Sequence, residues 1–366
     1  MAIRPGQGAR LCSAPDFVER RTALIMELGI TTFAETYADP LSGETISHGE
    51  RLRQVLDEIV LAEEVGLDVY GVGEHHRPDF ASSSPAVVLA AAAGRTHRIR
   101  LCPAVIILST ADPVRTFQDF ATLDLVSSGR AELLVGRGSF IESFPLFGYS
   151  LADYDELFSE KLDLLLAIRD NERVTWSGKH RAPIRDQPIY PRPQQDPLPV
   201  WVGVGGTPES IVRAATRGLP VALAIIGGDP ARFSSFAQLH RRALVESGYD
   251  PAKVPLAVHA HGYIGDDSEQ AADEYYPSYA VAMSTIGRER GWGSMTRQQF
   301  DMMRGPAGSL VLGDVEEVAA KIIKMRDVLG IERFMLHISV GTLPHDKVMR
   351  AIELLGSKVA PIVNGV

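Results

Sequence analysis

Residues 199–226 read PVWVGVGGTPESIVRAATRGLPVALAII. Two short apolar runs, Pro199–Val204 and Pro220–Ile226, have strand length. Between them Thr207 is a residue type that opens helices, and Pro208 suits the first helical position. The stretch is therefore strand, helix, strand, and strands joined through a helix run parallel.

The same alternation extends in both directions. Upstream, strands are predicted at Leu28–Thr32, Val69–Gly73, Ile99–Leu108 and Ala131–Gly136, with helices at Arg51–Val65, Ser84–Arg95, Pro113–Val126 and Asp153–Arg169. Downstream, strands fall at Val254–Ile264 and Arg333–Ile338, with helices at Pro230–Glu246, Asp314–Leu329 and Pro344–Lys358. Eight strands, each followed by helical sequence, predict a (β/α)8 TIM barrel, with an open doubly wound sheet as the alternative. Residues 174–197, rich in Pro, Arg and Gln, predict a hairpin insertion. Ala271–Gly313, after strand seven, reads as a lid-like insertion. Its glycines suggest mobility, and Tyr275, Tyr276, Tyr279, Trp292 and Met295 suggest either an apolar substrate surface or rings that pack the insertion on the barrel. Residues 1–25 read as a disordered extension and residues 26–366 as a single domain.

A chain of 366 residues, 45% hydrophobic and 23% charged, can build one large core. Its net charge of −9 argues against nucleic acid or an anionic membrane as partner. No stretch is apolar enough to span a bilayer. Cys12 and Cys102, the only cysteines, offer neither a disulfide framework nor metal spacing, which points to a cytoplasmic setting and no metal.

Barrels carry their chemistry at the C-terminal ends of strands. Strand two ends in Glu74-His75-His76-Arg77, and alternation aims one of the two histidines at the mouth, where it could move protons or be held structurally by the backbone. Strand four ends in Gly136-Arg137-Gly138. Arg137 there is either a phosphate binder or the partner of Glu132 or Glu142. After strand five, Gly205, Gly206 and Thr207 form an anion cradle at a helix N-terminus. Pro208 stands where a dinucleotide fingerprint needs its third glycine. Together with Arg137 this suggests a single phosphate, hence a mononucleotide such as FMN. His259 and His261 share one face of strand seven and read as cavity lining or core polar residues, and His337 on strand eight is similar. Asp112 and Asp119 read as helix-start and surface residues.

The chain resembles the bacterial-luciferase-like flavin-dependent monooxygenases from about Met26 to Val359. The stretches that carry this are Gly73-Glu74-His75-His76, Leu108-Ser109-Thr110-Ala111-Asp112-Pro113-Val114-Arg115, Leu123-Asp124-Leu125-Val126-Ser127-Ser128-Gly129-Arg130, Val135-Gly136-Arg137-Gly138 and Gly205-Gly206-Thr207-Pro208-Glu209-Ser210. The resemblance implies that His75 assists the oxygen chemistry, with Glu74 the carboxylate beside it. It implies that Arg137, Gly205, Gly206 and Thr207 hold the flavin phosphate, and that Ala104-Val105 is a cis peptide under the ring. Two departures stand out. Gly136 replaces a reactive cysteine of luciferase, and Asp155 falls about where luciferase has a basic residue, so light emission is not implied. The resemblance further implies reduced FMN from a separate flavin reductase, molecular oxygen, a small organic substrate such as an aldehyde, and a homodimer packed through helices near strands two to four. A deazaflavin-dependent oxidoreductase and a non-catalytic flavin carrier are the alternatives. A barrel aldolase ranks behind them because the lysines lie in helices and loops.

Overall fold

The computed structural model describes residues 25–138 and 140–365. The expected extension, residues 1–25, lies outside the described residues apart from Ile25. The strands are β1 Glu27–Thr32, β2 Val69–Val72, β3 Arg100–Pro103, β4 Ile106–Ile107, β5 Leu133–Gly136, β6 Arg173–Trp176, β7 Ile184–Pro188, β8 Val200–Val204, β9 Val221–Ile225, β10 Leu256–Ile264, β11 Val311–Gly313 and β12 Arg333–His337. The main sheet runs β3-β2-β1-β12-β10-β9-β8-β5-β4, and its strand pairs are parallel.

The third strand is the one departure within the ring. Periodicity predicts a single strand over Ile99–Leu108, but the chain breaks into β3 and β4 around a cis Ala104–Val105 peptide. β3 pairs with β2 and touches Ala131 through Leu101, while β4 pairs with β5. Taken as one broken strand, the two pieces close an eight-stranded barrel with β1, β2, β5, β8, β9, β10 and β12.

The surrounding helices are α1 His48–Glu64, α2 Pro85–Ala93, α3 Pro113–Ser127, α4 Ser143–Phe147, α5 Tyr154–Asp170, α6 Pro208–Ala215, α7 Ser234–Glu246, α8 Ser268–Arg290, α9 Arg297–Arg304, α10 Val315–Leu329 and α11 His345–Leu354. Asp112 caps α3, accepting from the amides of Val114 and Arg115. Strands buried on both faces favour apolar residues on both, and β2 and β12 are buried throughout, with Arg333 and His337 at the ends of β12 each held by a partner. The outward residues, such as Leu28, Ile30, Val72 and Leu336, join Phe117, Leu165 and Ile322 in one belt between sheet and helices. Each such side chain contributes roughly 1.5–3 kcal/mol on burial. The inward residues Val69, Cys102, Leu134, Trp201, Ala222, Ala257 and Met335 form a separate cluster that plugs the lumen.

Beneath that plug the strand N-termini are tied by charge. Arg333 donates to Glu132 at 2.5 and 2.9 Å and to Glu27 at 2.7 Å, and stacks on Trp201 at 4.3 Å. A buried guanidinium persists only when paired in this way. The pairing also removes Glu132 as a partner for Arg137.

The predicted hairpin is present as β6 and β7, antiparallel. The lid-like segment after β10 is helical, α8 and α9 followed by β11, which pairs with the end of β10. Tyr275 and Tyr279 are fully buried in the core, so these two rings pack the insertion onto the barrel. Among the described residues no helix is long and apolar enough to cross a membrane.

Candidate functional site

Inward positions change size along the barrel axis. Leu134, Trp201 and Met335 fill the lumen. One layer towards the C-terminal ends stand Gly71, Gly136, Gly203 and Ala224. The result is a cavity of about 270 Å³ at the mouth, lined by residues including Thr31, Ala104, Val105, Arg137, Gly205 and His261. Its floor is the cis peptide. A Cβ on Gly136 would lie 2.7 Å from Val105 Cγ2, and one on Gly203 would lie 3.0 Å from Val105 Cγ1. These two glycines therefore exist to admit the Val105 side chain. Glu74 fixes the segment from behind, accepting from the Ile107 amide at 2.9 Å.

The cradle lies at the rim. Arg137 donates to Asp155 at 2.6 Å and to the Thr207 hydroxyl at 3.1 Å, with its guanidinium 5.1 Å above the Tyr154 ring. Tyr154 donates in turn to Gly138 O at 2.6 Å. Thr207 begins α6 without capping it through its side chain; its hydroxyl meets Ser210 Oγ at 2.7 Å instead. A second cation, Arg213, reaches Asp155 at 3.4 Å, and its buried Nη1 has no hydrogen-bond partner. A Cβ on Gly205 would meet nothing within 4 Å, and one on Gly206 would meet only ring edges at 3.9 Å. Two guanidinium groups, a hydroxyl, open backbone and an orphaned buried donor fit a phosphate. Neither acidic partner considered for Arg137 from sequence is used, since Glu142 pairs with Arg77.

Alternation along β2 and beyond sends His75 inward and Glu74 and His76 outward. The His75 ring stacks on Phe80 at 4.3 Å and meets the edges of Phe33 at 4.6 Å and Phe140 at 4.9 Å. Phe33 lines the cavity, so His75 stands at its edge. Its Nδ1 makes no hydrogen bond and lies 3.9 Å from Glu142 Oε1. Burial works to raise the Glu142 carboxyl, but His75 and Arg77 outweigh it and hold the group at about 2. Glu74 pairs with His76 at 2.8 Å, and both line a groove outside the barrel. The sequence pairs Glu74 with His75 in function; the structure separates them onto opposite faces.

His259 and His261 line the cavity, as their spacing predicts. Burial pushes both down to about 3, helped by the charge of Arg333 on His259 and by His337 on each, so both are neutral imidazoles. His337 joins them on the cavity wall. Of the residues expected to bind a cofactor, Ala104, Val105, Gly136, Arg137 and Gly205 line one cavity, with Gly206 and Thr207 at its rim. Arg213 was not foreseen. Its signal was faint, an arginine within the mostly apolar stretch that follows the cradle on the same helix. Among the described residues, no lysine lines this cavity.

A sequence profile of the luciferase-like monooxygenases matches residues 26–332. The alkanal monooxygenase alpha chain of the Kryptophanaron alfredi symbiont is 26% identical over 69% of this chain and 71% of its own length. Two solved structures share the fold. One is an F420-dependent secondary alcohol dehydrogenase in complex with an F420-acetone adduct, 19% identical over 92% of this chain and 99% of that chain, with a TM-score of 0.74. The other is the oxygenating constituent of 3,6-diketocamphane monooxygenase of Pseudomonas putida, a type II Baeyer-Villiger monooxygenase in complex with FMN, 18% identical over 92% of this chain and 98% of that chain, with a TM-score of 0.72. With the profile spanning most of the barrel, this chain belongs to the luciferase-like monooxygenase family.

Proposed function

We propose that this oxidoreductase is an FMN-dependent monooxygenase that uses reduced FMN and molecular oxygen on a small, largely apolar organic substrate. The observation that carries this reading is the bond of Arg137 to Thr207 beside open glycine backbone at the rim of the cavity, with Arg213, its Nη1 orphaned, joined to the same group through Asp155. Against these two cations stands one carboxylate, Asp155, leaving a single net positive charge. That balance suits one phosphate monoester of charge about −1.5 to −2. A deazaflavin tail bears further carboxylates, which Asp155 would repel. The F420-dependent relative keeps that cofactor as the second reading, and Arg213 is the feature in its favour.

Arg137, Arg213, Gly205, Gly206 and Thr207 would hold the phosphate, and Ala104, Val105 and Gly136 would support the ring. Bound reduced FMN supplies the electrons that activate oxygen. The protein's own part is positioning and proton handling. The aromatic box of Phe33, Phe80 and Phe140 excludes water from His75 and fixes its ring. His75 offers Nδ1 as an atom that can hold a proton, with the Glu142 carboxylate 3.9 Å away. Glu74 positions β4 through the Ile107 amide. A separate reductase supplies the reduced flavin, in a cytoplasmic setting consistent with Cys12 and Cys102 as the only cysteines. A second copy packs against α2, α3 and α4, where Val87, Val126 and Phe147 are 69%, 58% and 49% exposed beside a groove of about 650 Å³.

The test is anaerobic titration with reduced FMN, followed by mixing with oxygenated buffer and a panel of aldehydes and ketones. Binding with oxygen-dependent product formation supports the proposal. Binding of F420 but not of FMN in either redox state overturns it.

A further inference from the structure

A second cavity, about 320 Å³ and mostly polar, opens on the flank between the β1–α1 connection, α1 and the start of α11. Glu35 lines this flank pocket, while His337 and Thr31 line the mouth cavity. His337 Nε2 lies 2.8 Å from Glu35 Oε1, and His337 Nδ1 lies 3.0 Å from the Thr31 hydroxyl. Two buried side chains, 4% and 3% exposed, thus link the two cavities through a hydrogen bond. A structural pair needs no access to water on either side; this pair has a cavity on each.

We propose that Glu35, His337 and Thr31 form a proton relay joining the mouth cavity to solvent in the flank pocket. It rests on the mouth cavity being the reaction chamber. The inward step moves one proton and no electrons. The Glu35 carboxylate takes a proton from water in the flank pocket and passes it to His337 Nε2, His337 Nδ1 gives its proton to Thr31 Oγ, and the Thr31 hydroxyl gives its proton to the acceptor atom in the cavity. Glu35 is left as a carboxylate and His337 as the Nε2–H tautomer. The outward step is the same path reversed: a proton released in the cavity enters through the Thr31 hydroxyl to His337 Nδ1, Nε2 returns its proton to Glu35, and Glu35 releases it to water in the flank pocket, which restores the first tautomer. Glu35 acts through His337 and is a positioning and transfer residue that never meets the substrate.

The neighbouring charges favour this use. From β10, His259 and His261 face His337 as neutral rings, with His261 centred 5.5 Å away. From α1, Arg51 and Glu58 pair with each other beyond Thr32, and Tyr70 of β2 donates to Glu58. His345 of α11 sits 3.6 Å from Glu58. Ser339 and Thr32 donate to Glu35 Oε2 at 3.2 and 3.5 Å, and Tyr37 and Tyr275 feel its charge. Asp39, Glu44 and Glu50 share the flank pocket with Glu35, and Arg51 feels the Glu35 charge while paired with Glu58; the hydrogen-bonded dyad is the path from that acidic pocket to the mouth cavity.

The experiment measures solvent exchange of the His337 ring proton by ¹⁵N-resolved NMR in the ligand-free protein, so that its result does not depend on which cofactor binds. Glu35→Gln is expected to slow exchange on the order of 10²-fold, the scale of a positioned proton donor. Thr45→Trp, on the exposed rim of the flank pocket, should slow exchange without touching the dyad. In turnover, Glu35→Gln should lower kcat and shift its pH profile while KM holds. Wild-type exchange in a folded Glu35→Gln, or in Thr45→Trp should Glu35→Gln not fold, overturns the relay. A relay seen by exchange in a protein that binds no FMN would overturn the functional reading and leave the relay standing.

Discussion

The phosphate cradle makes a quantitative prediction through Arg213, the member that sequence reading passed over. Its Nη1 is buried and without a hydrogen bond, so the donor is already desolvated before any anion arrives. Binding a phosphate there gains a charge-assisted bond with little further desolvation cost. Such bonds contribute about 1.5–3 kcal/mol. Arg213→Ala should therefore weaken FMN about 10- to 150-fold. The control is riboflavin, which has the same ring and no phosphate. Its affinity should be the same for wild type and variant, because Arg213 reaches only the rim. Fluorescence quenching titrations of both ligands against both proteins give the four constants, and salt should weaken FMN more than riboflavin. Equal losses for FMN and riboflavin would falsify the assignment of Arg213 to phosphate and make it a residue that merely holds Asp155.

Three further outcomes follow from the geometry. Gly136→Ala places a Cβ 2.7 Å from Val105 Cγ2 in a packed floor; overpacking of this kind costs about 1–3 kcal/mol, so calorimetry should show a lower Tm together with weaker FMN binding, and an unchanged Tm would show that the floor yields. His259 and His261 are held near 3 against 6.5 for an exposed ring. Their neutral burial stabilises the fold fully above pH 6.5, and that stability is lost as pH falls towards 3, because the unfolded chain binds protons that the folded chain refuses. Urea unfolding at pH 7, 5 and 4 should show up to about 1.4 kcal/mol per pH unit per histidine, and the double variant His259→Gln/His261→Gln should flatten that slope. Val87→Asp, on the exposed face of α2, should convert a dimer to monomers in sedimentation velocity; a wild-type protein that sediments as a monomer removes the dimer altogether.

The barrel was legible because its signal is repeated. Each strand carries an apolar run and each connection a helical period, so a mistake at one element cannot undo the pattern. The third strand failed for a physical reason: a cis bond between Ala104 and Val105 leaves the apolar pattern intact while breaking the ladder. Only the family resemblance pointed to it. The cradle glycines, Thr207 and Arg137 were legible because backbone access and a strand-end charge have few other uses. Arg213, Glu35 and His337 were harder. Whether Arg137 meets Glu132, Glu142 or Asp155 depends on pairings between residues far apart in sequence, and Arg333 decides it by taking Glu132 at the other end of the barrel. The tyrosines of α8 show the converse, since aromatic content alone could not separate a substrate surface from a packed helix.

The strand order itself divides the labour of the site. Around the ring, β5 and β8 carry the cradle, β1 and β12 stand opposite them, and β2 lies beside β1. Arg137 and the glycines of the β8–α6 turn therefore attract an anion to one wall, while Thr31, His75 and His337 occupy the other. The carboxylates that serve those histidines, Glu142 and Glu35, lie behind the rings and not in the cavity. A ligand entering the mouth thus meets positive charge at the rim, an apolar floor at Val105 and hydrogen-bonding groups beyond it. A molecule with a phosphate at one end and a flat, weakly polar ring at the other can satisfy all three at once only in one orientation. That orientation puts the ring against the wall that holds the protons. The eight-fold closure of the barrel sets this arrangement, because in an open sheet of the same strand order β4 and β3 would be the two edges, and the floor that connects them would not exist.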